Sequence, residues 1–112
     1  MSTIFGLIIE KKLPATIVFE NERLIAIEDI HPVAPVHILI MPKKEIPNLQ
    51  SVEPHDYPLI TEIVQVAQKI ASEKGIAEGG YRLLTNNGPN AGQVIFHLHF
   101  HLIGGHPLGK IG

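Results

Sequence analysis

Cysteine and tryptophan are both absent from this chain of 112 residues, and aromatic side chains make up only 5% of it. Without cysteine the protein has no disulfide, no thiol nucleophile and no cysteine-based zinc site. Positive charge is also scarce, since nine lysine and arginine residues face eleven acidic ones and form no long basic run. The formal net charge of −2 therefore argues against nucleic acid as a partner.

Long apolar runs are missing as well. The apolar amino-terminal segment is interrupted by Glu10, Lys11 and Lys12, which is too early for a membrane-spanning helix. It also lacks the basic start and the cleavage site of a signal peptide. We therefore expect no membrane partner and a cytoplasmic location. The length and the 45% hydrophobic composition predict one domain, over residues 1–112, that builds its own core.

Hydrophobic periodicity predicts two helices and five strands. Thr3 is a candidate cap for a short helix over residues 4–12, and a three- and four-residue period predicts one long helix over residues 56–74. Alternating or β-branched segments predict strands over residues 16–20, 24–28, 36–41, 81–85 and 95–103. Strands clustered on both sides of one long helix indicate an α+β domain with a mainly antiparallel sheet. One face of that sheet would be covered by helix, and the other would be free to carry a site.

Three alternating histidines in the last predicted strand are the most informative feature. His97, His99 and His101 would share one face of a strand, about 7 Å apart per step, while the apolar residues between them face the core. The pattern has three explanations. It could be a solvated face that happens to be rich in histidine, or a zinc or iron site completed by other histidines and carboxylates. It could also serve nucleophilic catalysis, because neutral imidazole is a nucleophile near pH 7.

The loop before this strand favours the catalytic explanation. Residues 86–93 are rich in glycine and asparagine, so their backbone can approach an anion closely and donate hydrogen bonds without adding charge. Phosphoryl transfer needs donors of this kind, aimed at the equatorial oxygens of the phosphorus.

The sequence from His97 to Ile103 resembles the alternating signature of the histidine-triad (HIT) family, in the branch of purine nucleoside phosphoramidases. Similar segments occur along nearly the whole chain, from Ile4 to Gly105. They are residues 4–5, 15–19, 29–30, 34–37, 40–43, 80–82, 86, 92–93 and 104–105. The resemblance implies a five-stranded antiparallel sheet with one long and one short helix, pairing into a homodimer.

The resemblance also implies roles for individual residues. His99 would be the nucleophile that is transiently nucleotidylated, supported by His97, His101 and His37, with His101 a candidate for proton transfer to the leaving group. Asp29 would bind the ribose hydroxyls. The resemblance also implies an apolar pocket for the base, formed by Ile4, Phe5, Ile8, Ile27 and Ile30. Donors on the phosphate side would be Asn86 and the backbone of Gly92–Gln93.

Each of these positions also has a purely structural explanation. Phe5, Ile8 and Ile27 would be core residues in most proteins, Asp29 could cap a turn, and His37 could be a satisfied buried histidine. Val94 departs from the family pattern, because several relatives carry a polar side chain there beside the phosphate.

The implied activity is hydrolysis of purine nucleoside phosphoramidates and related acyl-adenylates, with an AMP-like substrate and no required metal or cofactor. Three alternatives remain open at this point. They are hydrolysis of dinucleoside polyphosphates, a nucleotide-binding regulatory module without catalysis, and a metalloprotein that holds zinc or iron. The short tail after Gly105 also leaves the leaving group undetermined, since a longer tail in relatives can reach the partner subunit's site.

Overall fold

A five-stranded antiparallel sheet forms the centre of the computed structural model, which describes residues 3–111. The strands are β1 (Ile17–Glu20), β2 (Leu24–Glu28), β3 (Val36–Pro42), β4 (Tyr81–Leu84) and β5 (Phe100–Gly104), in the spatial order β1-β2-β3-β5-β4. Helix α1 spans Ile4–Ile9 and α2 spans Tyr57–Glu73. This confirms the predicted α+β class, with one long and one short helix. Of the predicted domain, residues 1, 2 and 112 lie outside the described part.

Helix α2 covers one face of the sheet, as its periodicity predicts. Its buried side chains Ile63, Val66 and Ile70 join a core cluster with alternate residues of the central strands. Pro58 is tolerated because it stands in the first turn, where no intrahelical donor is needed. None of the helices within residues 3–111 is long and apolar enough to cross a membrane.

Helix α1 lies on the opposite face and is shorter than predicted. Thr3 caps it, since its Oγ1 accepts a hydrogen bond from the amide of Gly6 at 3.0 Å. The helix ends at Ile9 rather than at Lys12, because Lys11 adopts a positive φ of 63° that breaks the helical path. Its buried residues Phe5 and Ile8 pack in a second core cluster with Ile25, Ile27, Leu39 and Met41.

The last strand is also shorter than predicted. It begins at Phe100, so residues 95–99 lie outside both sheet ladders, which end at the pairs Ile40–Phe100 and Leu84–His101. The preceding segment instead bonds to the chain that follows β3. The amide of Leu98 donates to the carbonyl of Ile46 at 2.6 Å, which diverts this backbone from the ladder.

Gly105 allows the chain to turn beside the loop that leads into β3. Its φ is 106°, and a Cβ at this position would lie 2.9 Å from the Cβ of Pro35. We therefore expect Gly105→Ala to lower the free energy of unfolding by about 1–3 kcal/mol, through backbone strain and overlap with Pro35. Gly109→Ala is the matched control, because nothing lies within 4 Å of its added Cβ. Chemical denaturation of both variants checks this, and equal stabilities would contradict it.

Candidate active site

Three histidine rings meet on the face of the sheet that α1 shares. His37 lies in β3 and His101 in β5, in register positions that are diagonal neighbours across the antiparallel pair. Their Nε2 and Nδ1 atoms are 2.9 Å apart, and the two ring centroids are 5.2 Å apart. The His99 ring lies next to His101, again at 5.2 Å between centroids. The structure thus brings together three of the four histidines that the sequence singles out.

The His99 ring is held in one orientation. Its Nδ1 lies 2.7 Å from the carbonyl oxygen of His97, and because a carbonyl only accepts, Nδ1 carries the proton in this contact. The edge of Phe5 packs against the ring at 4.8 Å between centroids. In the neutral imidazole, the lone pair is consequently on Nε2. That arrangement is the one a histidine nucleophile requires.

His97 occupies a different environment from the one its place in the motif predicts. It is completely buried, and its Nε2 donates to the carbonyl of Pro42 at 2.7 Å. Among the described residues, its Nδ1 has no hydrogen-bond partner. The expectation of three histidines side by side on a strand is wrong, because the strand starts after His99 and the ring of His97 bonds to the end of β3.

A hydrogen-bond relay sets the proton positions of the other two rings. The amide of Val33 donates to Nδ1 of His37 at 3.2 Å, which leaves the proton of neutral His37 on Nε2. That proton points to Nδ1 of His101, so neutral His101 carries its own proton on Nε2. The relay therefore exposes a lone pair on His99 and an N–H on His101.

Burial keeps the rings of His97, His99 and His101 neutral near physiological pH. It lowers the pKa of His99 and that of His97 below the usual histidine value of 6.5. Burial also lowers the pKa of His101, to about 4, with help from the electrostatic repulsion that a protonated His101 would meet from His99 and His37. In both His99 and His101, the carboxylate of Asp29 opposes the shift.

Asp29 stands beside the histidine cluster and also shapes the chain around it. Its Oδ1 accepts a hydrogen bond from the amide of His31 at 2.8 Å, which is the turn-capping contact expected of an aspartate before a proline-rich loop. Its Oδ2 lies 3.3 Å from Nε2 of His37. The side chain is 20% exposed, so its carboxylate remains accessible to a ligand.

The loop before β5 is fastened by a buried glutamine. The side chain of Gln93 accepts from the amide of Gly88 at 2.8 Å and donates to the carbonyls of Pro47 and Ile95. The amides of Gly92 and Gln93 both donate within the turn, to Pro89 and Gly88 respectively. These hydrogen bonds therefore hold the loop before β5 in one conformation.

The other two loop positions differ in exposure. Asn86 follows Thr85, which is the first residue after β4, and Asn86 is partly buried. Val94 is 83% exposed, so it presents an apolar side chain at the surface of the loop.

The apolar residues assigned to a base pocket fall into two groups. Phe5, Ile8 and Ile27 are buried members of the core cluster beneath α1, as their structural explanation requires. Ile4 and Ile30 are exposed, by 54% and 84% respectively. Ile4 and Ile30 therefore have side-chain surface that a ligand could contact. Phe5 is buried and contacts the His99 ring directly.

A metal could be held only by a subset of these residues. Ligand atoms of Asp29, His37 and His101 all lie within 4.8 Å of one another. However, a neutral histidine that binds a metal through Nε2 carries its proton on Nδ1, and the amide of Val33 already points a proton at Nδ1 of His37. This hydrogen bond disfavours coordination by His37. Since the remaining pair offers too few ligands, the cluster is better suited to acid–base chemistry.

Comparisons with known proteins identify the family of this chain. The model of the HIT domain matches residues 10–108. The chain belongs to the HIT family. It is 44% identical to the purine nucleoside phosphoramidase of Escherichia coli over 109 residues, which cover 97% of this chain and 92% of that protein. It is 50% identical to a HIT-like protein of Chlamydia pneumoniae over 109 residues, with 97% and 98% covered.

The fold of this HIT protein matches a solved relative closely. A HIT family hydrolase from Clostridium thermocellum superposes with a TM-score of 0.94 at 48% identity, covering 98% of this chain and 96% of that one. Both the resemblance and the fold predicted from the sequence are thereby confirmed.

Four groups at the site are not identifiable from the sequence pattern. They are backbone or hydroxyl groups that hold the histidines: the Val33 amide, the carbonyls of Pro42 and His97, and the Thr85 hydroxyl, which donates to the carbonyl of His99 at 2.7 Å. Main-chain groups have no sequence signature, and Thr85 becomes meaningful only once the strand register is known.

Proposed function

We propose that this HIT protein is a hydrolase of purine nucleoside phosphoramidates, acting at the P–N bond, and of related acyl-adenylates. The reaction proceeds without a metal, through a nucleotidyl intermediate on His99. The observation that carries the proposal is the proton arrangement of the cluster. His99 presents a lone pair on Nε2 while the adjacent His101 presents an N–H on Nε2.

In the first step, Nε2 of His99 attacks the α-phosphorus and the P–N bond to the amine breaks. On substrate binding His101 takes up a proton from solvent, and the leaving amine takes the Nε2 proton of this imidazolium. The Nδ1–H of protonated His101 donates to Nε2 of His37, so the proton of neutral His37 moves to Nδ1 and its contact with the Val33 amide is given up. The pKa of His101 is about 4 in the free protein, and a bound phosphoryl group raises it because its negative charge favours the imidazolium. Asp29 contributes in the same direction. His37 orients His101 through the 2.9 Å contact.

In the second step, water attacks the phosphorus of the nucleotidyl intermediate and the bond to His99 breaks. His101, now neutral, accepts the proton of that water. AMP or another purine nucleoside monophosphate leaves, and the cluster returns to its starting protonation. Splitting one displacement into two in this way lowers the barrier of each.

The surrounding residues suit a nucleoside monophosphate. The accessible carboxylate of Asp29 can accept hydrogen bonds from the ribose 2′- and 3′-hydroxyls, and the exposed side chains of Ile4 and Ile30 can cover a base. We assign Asn86 and the loop backbone around Gly92 and Gln93 to the phosphate, although in the free protein the amides of Gly92 and Gln93 donate within their own turn. We propose these contacts as the substrate-binding set, together with Phe5, Ile8, Ile27 and Val94, which frame the pocket.

Dinucleoside polyphosphates are the less favourable substrate class. A polyphosphate chain is commonly held by bidentate guanidinium contacts. The only two arginines of the chain are Arg23 and Arg82. Arg23 bonds to Glu62, and Arg82 donates to the carbonyl of Gly109. Their engagement in these contacts favours a substrate with a single phosphate.

We propose in addition that the chain acts as a homodimer with a sheet continuous across the interface. Strand β4 lies at the edge of the sheet, so its outer side is open to pairing. Tyr81 on β4 and Val64 on α2 are both partly exposed apolar residues, by 37% and 41%. Analytical ultracentrifugation checks this, since a dimer has twice the 12.3 kDa mass of the chain. A species of monomer mass at micromolar concentration would contradict it.

The test of the activity compares substrates under metal-free conditions. Chelator-treated protein is incubated with an adenosine phosphoramidate or with a diadenosine polyphosphate, and AMP release is followed by chromatography. We expect turnover of the phosphoramidate to be the faster of the two. Preference for the polyphosphate would move the function to that class, and tight AMP binding without turnover of either would indicate a regulatory module.

A further inference from the structure

The main chain that carries His99 is held by contacts outside the sheet. Both ladders that flank β5 stop before this residue, at the pairs Ile40–Phe100 and Leu84–His101. The His99 carbonyl is therefore beyond the regular hydrogen bonding that would fix a strand. In its place, the hydroxyl of Thr85 donates to this carbonyl at 2.7 Å.

We propose that Thr85 is a positioning residue for the nucleophile, acting through the carbonyl of His99. This inference rests on the proposed function, because it assigns Thr85 a share in the nucleophilic step. Thr85 follows β4 immediately, and it extends the β4–β5 pairing by a side-chain hydrogen bond where the backbone pairing has ended.

The His99 residue is clamped at two points. Its ring is fixed by the bond from Nδ1 to the carbonyl of His97, and its own carbonyl is fixed by Thr85. Both contacts are 2.7 Å long, and the Cα of His99 lies between them. Release of one clamp lets the peptide plane after His99 rotate, which moves Cα and tilts the ring away from the line of attack. Nucleophilic displacement at phosphorus is sensitive to such misalignment.

Thr85 also links the nucleophile to the phosphate side of the site. The next residue is Asn86, which begins the loop that Gln93 fastens. The end of β4 leads into this loop, and the Thr85 hydroxyl links that end of the strand to the main chain of His99. This connection ties the attacking residue to the start of the loop that we assign to the phosphate.

The test uses two substitutions that differ in one group. Thr85→Val keeps the size and the β-branch but removes the hydroxyl, whereas Thr85→Ser keeps the hydroxyl. With an adenosine phosphoramidate as the substrate, we expect Thr85→Val to lower kcat about tenfold, as the loss of one hydrogen bond in a partly buried site implies, with KM changed less than about twofold. Thr85→Ser should restore kcat to within about twofold of the wild type. Thr16→Val, at an exposed threonine before β1, is the control for the substitution itself.

An activity-independent measurement separates this proposal from the proposed function. In proton NMR, the hydrogen-bonded Nδ1–H of His99 should exchange with water several-fold faster in Thr85→Val than in the wild type or Thr85→Ser. If the wild type does not turn over the phosphoramidate, the proposed function fails, and the exchange rates alone decide the role of Thr85. Wild-type kcat and exchange in Thr85→Val would overturn the proposal. So would a loss that Thr85→Ser fails to restore.

Discussion

Replacing His99 by alanine should lower the release of AMP from an adenosine phosphoramidate by at least about 10⁴-fold, because removal of a nucleophile from a site that acts as a unit eliminates nearly all of its catalysis. In the wild type, Nε2 of His99 is the ring nitrogen left with a lone pair, since Nδ1 bonds to the carbonyl of His97. No other ring of the cluster offers the same arrangement, because the Nε2 atoms of His37 and His101 carry protons. Chromatographic measurement of AMP under single-turnover conditions gives the ratio.

A control variant and a trapping experiment make this prediction specific to His99. His55→Ala, at an exposed histidine beside Asp56, serves as the matched control and should retain wild-type turnover. Rapid acid-free quenching of the wild type should also trap the nucleotide on the protein, and the label should be absent from His99→Ala. Turnover by the alanine variant at more than about one hundredth of the wild-type rate would assign the attack to another group.

The pH dependence of kcat/KM supplies an independent check on the same residue. Protonation removes the lone pair of His99, so activity should fall on the acid side. Burial lowers the pKa of this imidazole below 6.5, so the neutral form persists and the decline should begin below pH 6.5. A midpoint at or above 6.5 would mean that another group is titrating.

Local patterning predicted the architecture because most elements bury one face. The repeating apolar positions of the long helix, including Ile63 and Ile70, are typical of a helix with one buried face, and α2 spans Tyr57–Glu73 within the predicted range of residues 56–74. The alternation around His101 likewise predicted that its ring lies on the face opposite to Leu102, which is buried beneath α2. That His37 meets it there was implied only by the family resemblance.

The two failures of prediction around the last strand have a common physical cause, which is competition from tertiary hydrogen bonds. Alternation alone extends the last strand back to residue 95, but the Leu98 amide and the His97 ring bond to the segment around Pro42 and Ile46 instead. The motif therefore places His97 in the catalytic row although it is a buried anchor. Its carbonyl, which carries no sequence signature, is what sets the proton position on His99.

His101→Ala should reveal proton transfer through its dependence on the leaving group. With an alkylamine phosphoramidate, the rate of nucleotidyl transfer should fall about 10²- to 10⁴-fold, the range that a positioned general acid contributes. With a nitrophenyl ester of AMP, whose leaving group departs as a stable anion, the fall should be less than about tenfold. The measurement is the single-turnover rate of leaving-group release, which isolates this step from hydrolysis of the intermediate.

The contrast between the two leaving groups separates proton donation from mere support of the His99 ring. The rings of His99 and His101 are 5.2 Å apart, so removing His101 also removes packing from the nucleophile. Lost packing would slow both substrates equally, because the same attack on phosphorus is impaired. A lost proton donor slows only the amine, since an amine anion cannot leave. Equal losses for both substrates would therefore assign His101 a positioning role, and the proton would have to come from water or from the substrate itself.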